Sequence, residues 1–460
     1  MFVVPPSGGS SSERAVGRLR RRNRLKAELQ TWSAEHSHSF MTALLIVLVF
    51  VIFAALMISR RMPAILAVPA MAICIAAVAR TPIKEILENV ITNGSARLAS
   101  QYLMVFAGAM LGRVVMQTGI AESMIKRAAE FGGDRPLVVA VTLMVAIAWL
   151  FTTLTGLGAV IMVGGLALPI MMSIGVPRKL TGILFILAFA LGLIFNIALW
   201  GFYQGTLGID PQSVKRFAVI LAGIDAGAII VFLVIASRRM NSYGAWAVAV
   251  EDGQKPEKRD VSLFALLVPI VPLVLHGWLK IPVVAAFLIG AVLGVLMTRP
   301  KELVRQLASA SVKGFEDVAP AVILMIGIGM LLNATTLPEV KASLTPLVGA
   351  INLKSPLVYV AFFGLLSPLA LYRGPLNPYG IGIGVYLLIK DLNMLPPLAL
   401  LAAVMSVVQV QSACDPTNTH NVWVANYVGM RVEEITRQTI IFKVAVCLVG
   451  LLVGNWLFLK

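Results

Sequence analysis

Apolar stretches of about 20 residues, the length a helix needs to cross a bilayer, recur from Phe40 to Leu457, separated by short polar connections. Residues 40–58 and 217–236 are of this kind, and so are 261–279 and 436–457. None shows the strict alternation of a half-buried strand. The pattern predicts an all-α polytopic membrane protein. Several runs do not end in ordinary loops. The runs 136–151 and 157–174 meet at FTTLTGLG (151–158), and a second pair meets at LYRGPLNPYG (371–380). The apolar run before 411 gives way to QSACDPTNTHNVWVANY (411–427), which precedes another apolar run. Backbone that leaves helical geometry at membrane depth needs protein, water or ligand to satisfy it, so each interruption is a candidate site.

The interruptions fall in register across two halves. RTPIKEILENV, beginning at Arg80, matches TRPKELVRQLA, beginning at Thr298. AML at Ala109 and GML at Gly329 lie 220 apart, as do RPLVV at Arg135 and SPLVY at Ser355. Gly156 and Gly374 lie 218 apart at the two tips. Each half reads as two spans, a surface helix, a third span, an amphipathic arm, a re-entrant hairpin with a polar tip, a broken span and a last span. Five crossings per half invert the second half relative to the first, an arrangement common in secondary transporters. The predicted organisation is a basic tail (1–39), a first repeat (40–236), a polar linker (237–260) and a second repeat (261–458).

Composition agrees with a membrane protein. The chain is 58% hydrophobic and 13% charged, against about 25% charged in soluble domains. The net charge of +16 needs no nucleic acid, because Lys and Arg gather in loops such as Arg60-Arg61 and Arg238-Arg239, as they do in cytoplasmic connections. That side carries the larger share, which places the first residues outside and leaves the basic tail as the discordant feature. The tail lacks an apolar signal core, and Met41 offers a second possible start. Three cysteines without paired spacing indicate neither a disulfide framework nor a zinc site. No phosphate-binding loop precedes a helix, so ATP-driven transport by this chain is not expected.

Arg373 stands between LLSPLALY and GPLNPYG. An arginine there is costly unless it meets water or an anion, and its planar fork suits a carboxylate; the alternative is an interfacial arginine reaching headgroups or pairing with a structural acid. Gly374 and Asn377 share its tip. Thr153, Thr155 and Gly156 form the milder first tip, and Asn196 marks the break in the first half. Asp415 and His420 are the ionisable groups of the second break and suit ion coupling. Asp415 with Thr417, Asn418 and Thr419 could instead hold a sodium ion, and Asn421 completes the polar string. The plain reading of DPTNT is a capped helix start. Cys414 reads as a packing residue. Asp225 falls opposite Lys443 at the repeat offset, which predicts a buried pair, structural or proton-relaying.

The residues resemble the ion transporter superfamily, nearest its gluconate permease and citrate–proton symporter branches. The resemblance lies in NVWVANYVGMRVEEITRQTIIFKVAVCLVGLL, with Asn421, Trp423, Tyr427, Gly429 and Glu433, in the arm GIAESMIKRAAEFGG, and in VGGLALPIM. DPTNTH and YRGPLNP depart from the usual tips. The resemblance implies an elevator-type homodimeric carrier of the bacterial inner membrane, with a scaffold of 40–117 and 261–334. The expected function is secondary transport of a small organic anion, such as citrate, gluconate or a dicarboxylate, driven by protons or sodium. A cation–proton antiporter is the first alternative. A membrane-embedded enzyme is the second, and catalysis needs a mutual geometry that spacing alone does not supply.

Overall fold

The computed structural model describes residues 40–459 except 54, 58, 60, 134, 210, 241–260, 350–351 and 380–381. The expected basic tail and most of the linker lie outside the described residues. The described chain is helical throughout, without a strand. The helices of the first half are α1 (Phe40–Met57), α2 (Ala64–Val78), α3 (Ile83–Gln117), α4 (Ile120–Gly132), α5 (Pro136–Leu150), α6 (Gly156–Ser173), α7 (Arg178–Ile194), α8 (Ile197–Leu207) and α9 (Pro211–Met240). In the second half they are α10 (Leu263–Gly277), α11 (Val283–Thr298), α12 (Pro300–Thr336), α13 (Pro338–Gly349), α14 (Pro356–Arg373), α15 (Gly382–Asp391), α16 (Pro397–Cys414), α17 (Thr419–Val428) and α18 (Val432–Phe458). The order of long, short and interrupted helices in the first half recurs in the second.

Among the described residues eight helices are long and apolar enough to cross a membrane, or nine with the bent pair α7–α8 counted as one span. The protein is an integral multi-pass membrane protein. Proline sets many helix starts: Pro63, Pro82, Pro177, Pro282 and Pro396 directly precede α2, α3, α7, α11 and α16, and Pro136 opens α5. The ring fixes φ and lacks an N–H that the first turn would leave unpaired.

One expectation is corrected. RTPIKEILENV was expected to form a separate surface helix, but it runs into the third span within α3. A π-helical stretch, Ile86–Asn93, carries the hydrogen bonding through, and Leu98 bends the axis at φ −104°, ψ 23°. TRPKELVRQLA likewise begins the long α12.

α3 and α12 pack against each other along their lengths, α2 lies on α12, and α11 lies on α3. A Cβ at Gly94 would stand 2.8 Å from Met330 Cα, and one at Gly314 would stand 2.9 Å from Met110 N. Gly94 and Gly314 are 220 apart, as are Met110 and Met330, so the two approaches are images of one another. Contacts elsewhere run in the opposite sense along the two helices: Asn333 donates to Asn89 O at 2.6 Å and Gln117 to Ser309 Oγ at 3.5 Å. α3 and α12 are therefore antiparallel about a local two-fold axis. Even the polar pairs follow it: Arg113 grips Asp317 with two hydrogen bonds, and Arg97 donates to Asn333 at 2.5 Å. Gly314→Val should destabilise the protein by about 1–3 kcal/mol, because a side chain there must push α3 away. A lowered melting temperature in detergent checks it, and wild-type melting would contradict the close approach.

Candidate functional site

The interruptions fall where they were expected. α5 stops at Leu150 and α6 starts at Gly156, each within a residue of the expected boundaries. α7 breaks from α8 at Asn196 with a 52° bend. α14 loses helical geometry at Leu371, where the second tip begins, and residues 415–418 separate α16 from α17.

In the first half Asn196 is the staple. Its side chain is fully buried. It donates to Phe151 O at 2.9 Å and Leu154 O at 3.1 Å, and accepts from Leu199 N at 3.2 Å. One amide thus caps α8 and ties it to the tip. Thr153 spends its hydroxyl on Leu150 O at 3.3 Å, and Thr155 Oγ1 has no hydrogen-bond partner among the described residues. Gly156 takes φ +83° to open α6.

Asp415 does the same work in the second half with a charge. It is 0% exposed. Oδ1 accepts from Tyr372 N at 3.0 Å, Thr417 N at 2.9 Å and Thr417 Oγ1 at 2.7 Å, and Oδ2 accepts from Asn377 Nδ2 at 3.2 Å. Asn377 also donates to Ala370 O at 2.9 Å and accepts from Tyr379 N at 2.9 Å, so it folds the tip around Asp415. Asn421 donates to Asp415 O at 2.9 Å. Asn418 and Gln411 exchange hydrogen bonds, Gln411 Nε2 to Asn418 Oδ1 at 2.9 Å and Asn418 Nδ2 to Gln411 O at 2.8 Å. Of the oxygens read as a sodium cage, those of Asp415 and Asn418 accept from protein donors, Thr417 Oγ1 donates to Asp415, and Thr419 is exposed.

Arg373 is set differently. Tyr372 and Arg373 have φ of +55° and +60°, a left-handed pair of non-glycine residues that costs energy and is found mainly where function holds it. The turn aims Tyr372 N at Asp415 and projects the Arg373 side chain beyond it. Arg373 Nη1 reaches Tyr379 O at a long 3.4 Å, and no carboxylate lies within ion-pair distance among the described residues. Asp415 is near enough to feel its charge without touching it. Gly374 follows, buried where a side chain would meet Leu369 O and Leu371 O.

His420 links the halves. Its Nε2 lies 2.8 Å from Ser412 O, and its ring stands 4.5 Å from that of Phe189, which stands 4.7 Å from Phe151 at the first tip. No hydrogen bond joins Thr153, Thr155 or Gly156 to Arg373 among the described residues. The first tip and the second break are therefore in contact through rings rather than through a shared polar cage.

The fold is similar to that of a solved structure. The chain aligns with the Alcanivorax borkumensis YdaH transporter, whose crystal structure is described as having an unusual topology, at a TM-score of 0.57 and 13% identity over 91% of this chain and 99% of that one. The fold is that of a membrane transporter. No family model and no curated protein matches the sequence.

On this transporter fold, Phe189, Tyr379 and the backbone N–H of Tyr372 are site groups that sequence reasoning did not select. Phe189 lies in an unbroken apolar run and carried no signal. Tyr379 stands within the polar tip, next to Pro378, and was legible as part of it. The expected Asp225–Lys443 pair is present: the two side chains meet at 2.6 Å, wholly buried, between α9 and α18.

Proposed function

We propose that the protein is a secondary active transporter of small organic anions carrying a carboxylate, bound at the second tip by Arg373. The observation that carries this reading is a guanidinium held at a helix break on a strained turn, beside a buried carboxylate that is already satisfied by four donors. A free fork in such a place matches a carboxylate bidentately. Gly374 and Asn377 shape the tip, and Asp415 holds it at a fixed distance from α17.

Inverted repeats with an elevator motion agree with the antiparallel α3–α12 pair. They also account for an asymmetry. α8 is largely buried against α3, with Met104 over Gly201 and Gln101 over Gly205. Its counterpart α17 packs on α6 and α7 instead, leaving Thr419, Val422, Asn426 and Tyr427 exposed. Equivalent helices in unlike surroundings are what a carrier facing one side of the membrane presents.

A thermal-shift screen tests the proposal. Gluconate, succinate and citrate are offered to the purified protein, with the matching inorganic salts as controls. A carboxylate present at about 100 times its dissociation constant stabilises the folded state by about 2.7 kcal/mol, a readily measured rise in melting temperature. No response to any carboxylate, with a response to cations instead, would overturn the anion reading.

A further inference from the structure

One pair of buried charges takes no part in either tip. Asp225 Oδ1 accepts from Lys443 Nζ at 2.6 Å, and Asp225 Oδ2 has no hydrogen-bond partner among the described residues although the side chain is fully buried. Lys443 has one further contact, to Gln409 Oε1 at 3.5 Å. A buried ion pair that serves stability alone fills its remaining lone pairs. This one leaves an oxygen open.

The pair is also wired to the site. One turn before Lys443, Thr439 Oγ1 lies 3.2 Å from Cys414 Sγ, and Thr436 donates to Cys414 O at 2.6 Å. Cys414 adjoins Asp415. Lys443, Thr439 and Thr436 thus form a polar line on α18 from the pair to the second break. Around Asp225, α7 presents Leu187 and α18 presents Phe442 beside Lys443. α16 contributes Gln409 and the thiol of Cys414, which feels both charges. α8 directs Tyr203 toward Tyr379 and Tyr386, and α10 faces this stretch of α9 with the apolar Ile270 and Leu273, which share a cavity wall with Ala222, Gly223 and Ala226.

We propose that Asp225, held by Lys443, is the proton-binding site that couples transport, taking up one proton for each monovalent carboxylate bound at Arg373. This rests on the carboxylate reading above. On uptake the Asp225 carboxylate becomes a carboxylic acid, Lys443 remains an ammonium, and no other bond changes. Sodium is disfavoured because the ammonium already stands against Oδ1. The logic is charge balance. Counted formally, with histidine neutral, the charges around the tip and the pair are Arg373, Asp415, Asp225 and Lys443, which sum to zero. A bound monocarboxylate leaves one negative charge, and a proton on Asp225 cancels it. Net charge is costly in hydrocarbon, so the empty and the fully loaded forms move across while the half-loaded forms do not. Proton and anion are coupled without touching.

The test uses the full chain in detergent, weakly buffered, with a pH indicator and gluconate as the probe. Wild type takes up about one proton per gluconate bound, as linkage between the two sites requires. In Asp225→Asn that uptake falls at least about tenfold while gluconate still raises the melting temperature, so that binding and coupling separate. Asp225→Glu restores it. If Asp225→Asn fails to fold, Asp225→Asn with Lys443→Gln removes both charges and gives the same loss. Proton uptake at the wild-type ratio in either neutral variant overturns the proposal, as does wild type that binds gluconate without taking up protons. Wild type that binds neither gluconate, succinate nor citrate overturns the carboxylate reading itself, and the pair's role with it.

Discussion

Arg373→Ala abolishes carboxylate uptake by proteoliposomes while the protein still inserts and melts near the wild-type temperature. Truncating one side of a buried, hydrogen-bonded charge pair costs about 2–5 kcal/mol, or roughly thirty- to several-thousand-fold in affinity. The loss lies at the upper end here, because removing the guanidinium exposes the anion to Asp415, whose charge Arg373 offsets. Stability changes little, since the lost protein contact is a single long hydrogen bond to Tyr379 O at 3.4 Å. The left-handed φ of +60° at this position is kept by alanine, so backbone strain does not confuse the comparison. Arg373→Lys keeps the charge but loses the planar fork and gives intermediate affinity. Uptake of labelled carboxylate at matched protein density reads all three. Wild-type transport by the alanine variant would remove Arg373 from the site.

Much of the architecture was legible because membrane helices advertise themselves by length and apolarity, and their breaks by residues that cannot continue a helix. Gly374, Pro375, Asn377 and Pro378 announced the second tip, and Thr152, Thr153 and Thr155 the first. The Asp225–Lys443 pair was legible because two lone charges in last spans fell opposite each other at the repeat offset. The continuation of RTPIKEILENV into the third span was not, because π-helical hydrogen bonding leaves no mark in composition. Nor was the pairing of Arg113 with Asp317, since each charge reads separately as an interfacial residue on its own long helix.

The role of Asp415 was half legible. Its position promised a site, but its partners did not follow from the sequence. The decisive donor is the backbone N–H of Tyr372, turned inward by a left-handed residue that is not glycine. Side-chain patterns do not report backbone donors. Asn196 and Asp415, a neutral and a charged staple, do one job in the two halves. The arginine beside the first tip, Arg113, is paired with Asp317, whereas Arg373 at the second has no carboxylate within ion-pair distance among the described residues.

Substitution of Asp415 separates the staple from a coupling group. Asp415→Ala leaves Tyr372 N, Thr417 N and Asn377 Nδ2 without their acceptor in a buried place, at a cost of about 3–5 kcal/mol. The tip comes away from α17, and both melting temperature and transport fall. Asp415→Asn behaves otherwise. Its oxygen serves the three donors that now meet Oδ1, and its amide faces Asn377 Nδ2. That one donor–donor conflict stays local. Turning the Asn377 amide would only exchange it for the loss of the bonds to Ala370 O and from Tyr379 N, so the cost is that of one poorly satisfied buried donor, about 1–3 kcal/mol. The tip stays in place and Arg373 loses its neighbouring negative charge, so the asparagine variant binds carboxylate at least as tightly as wild type. A group that couples by changing its own charge behaves in the opposite way: asparagine silences it as fully as alanine, with stability intact. Melting temperature and carboxylate binding, measured together on the two variants, decide between these roles. Equal loss of binding in a stable Asp415→Asn protein would show that the charge of Asp415, and not the shape it holds, is what the carrier needs.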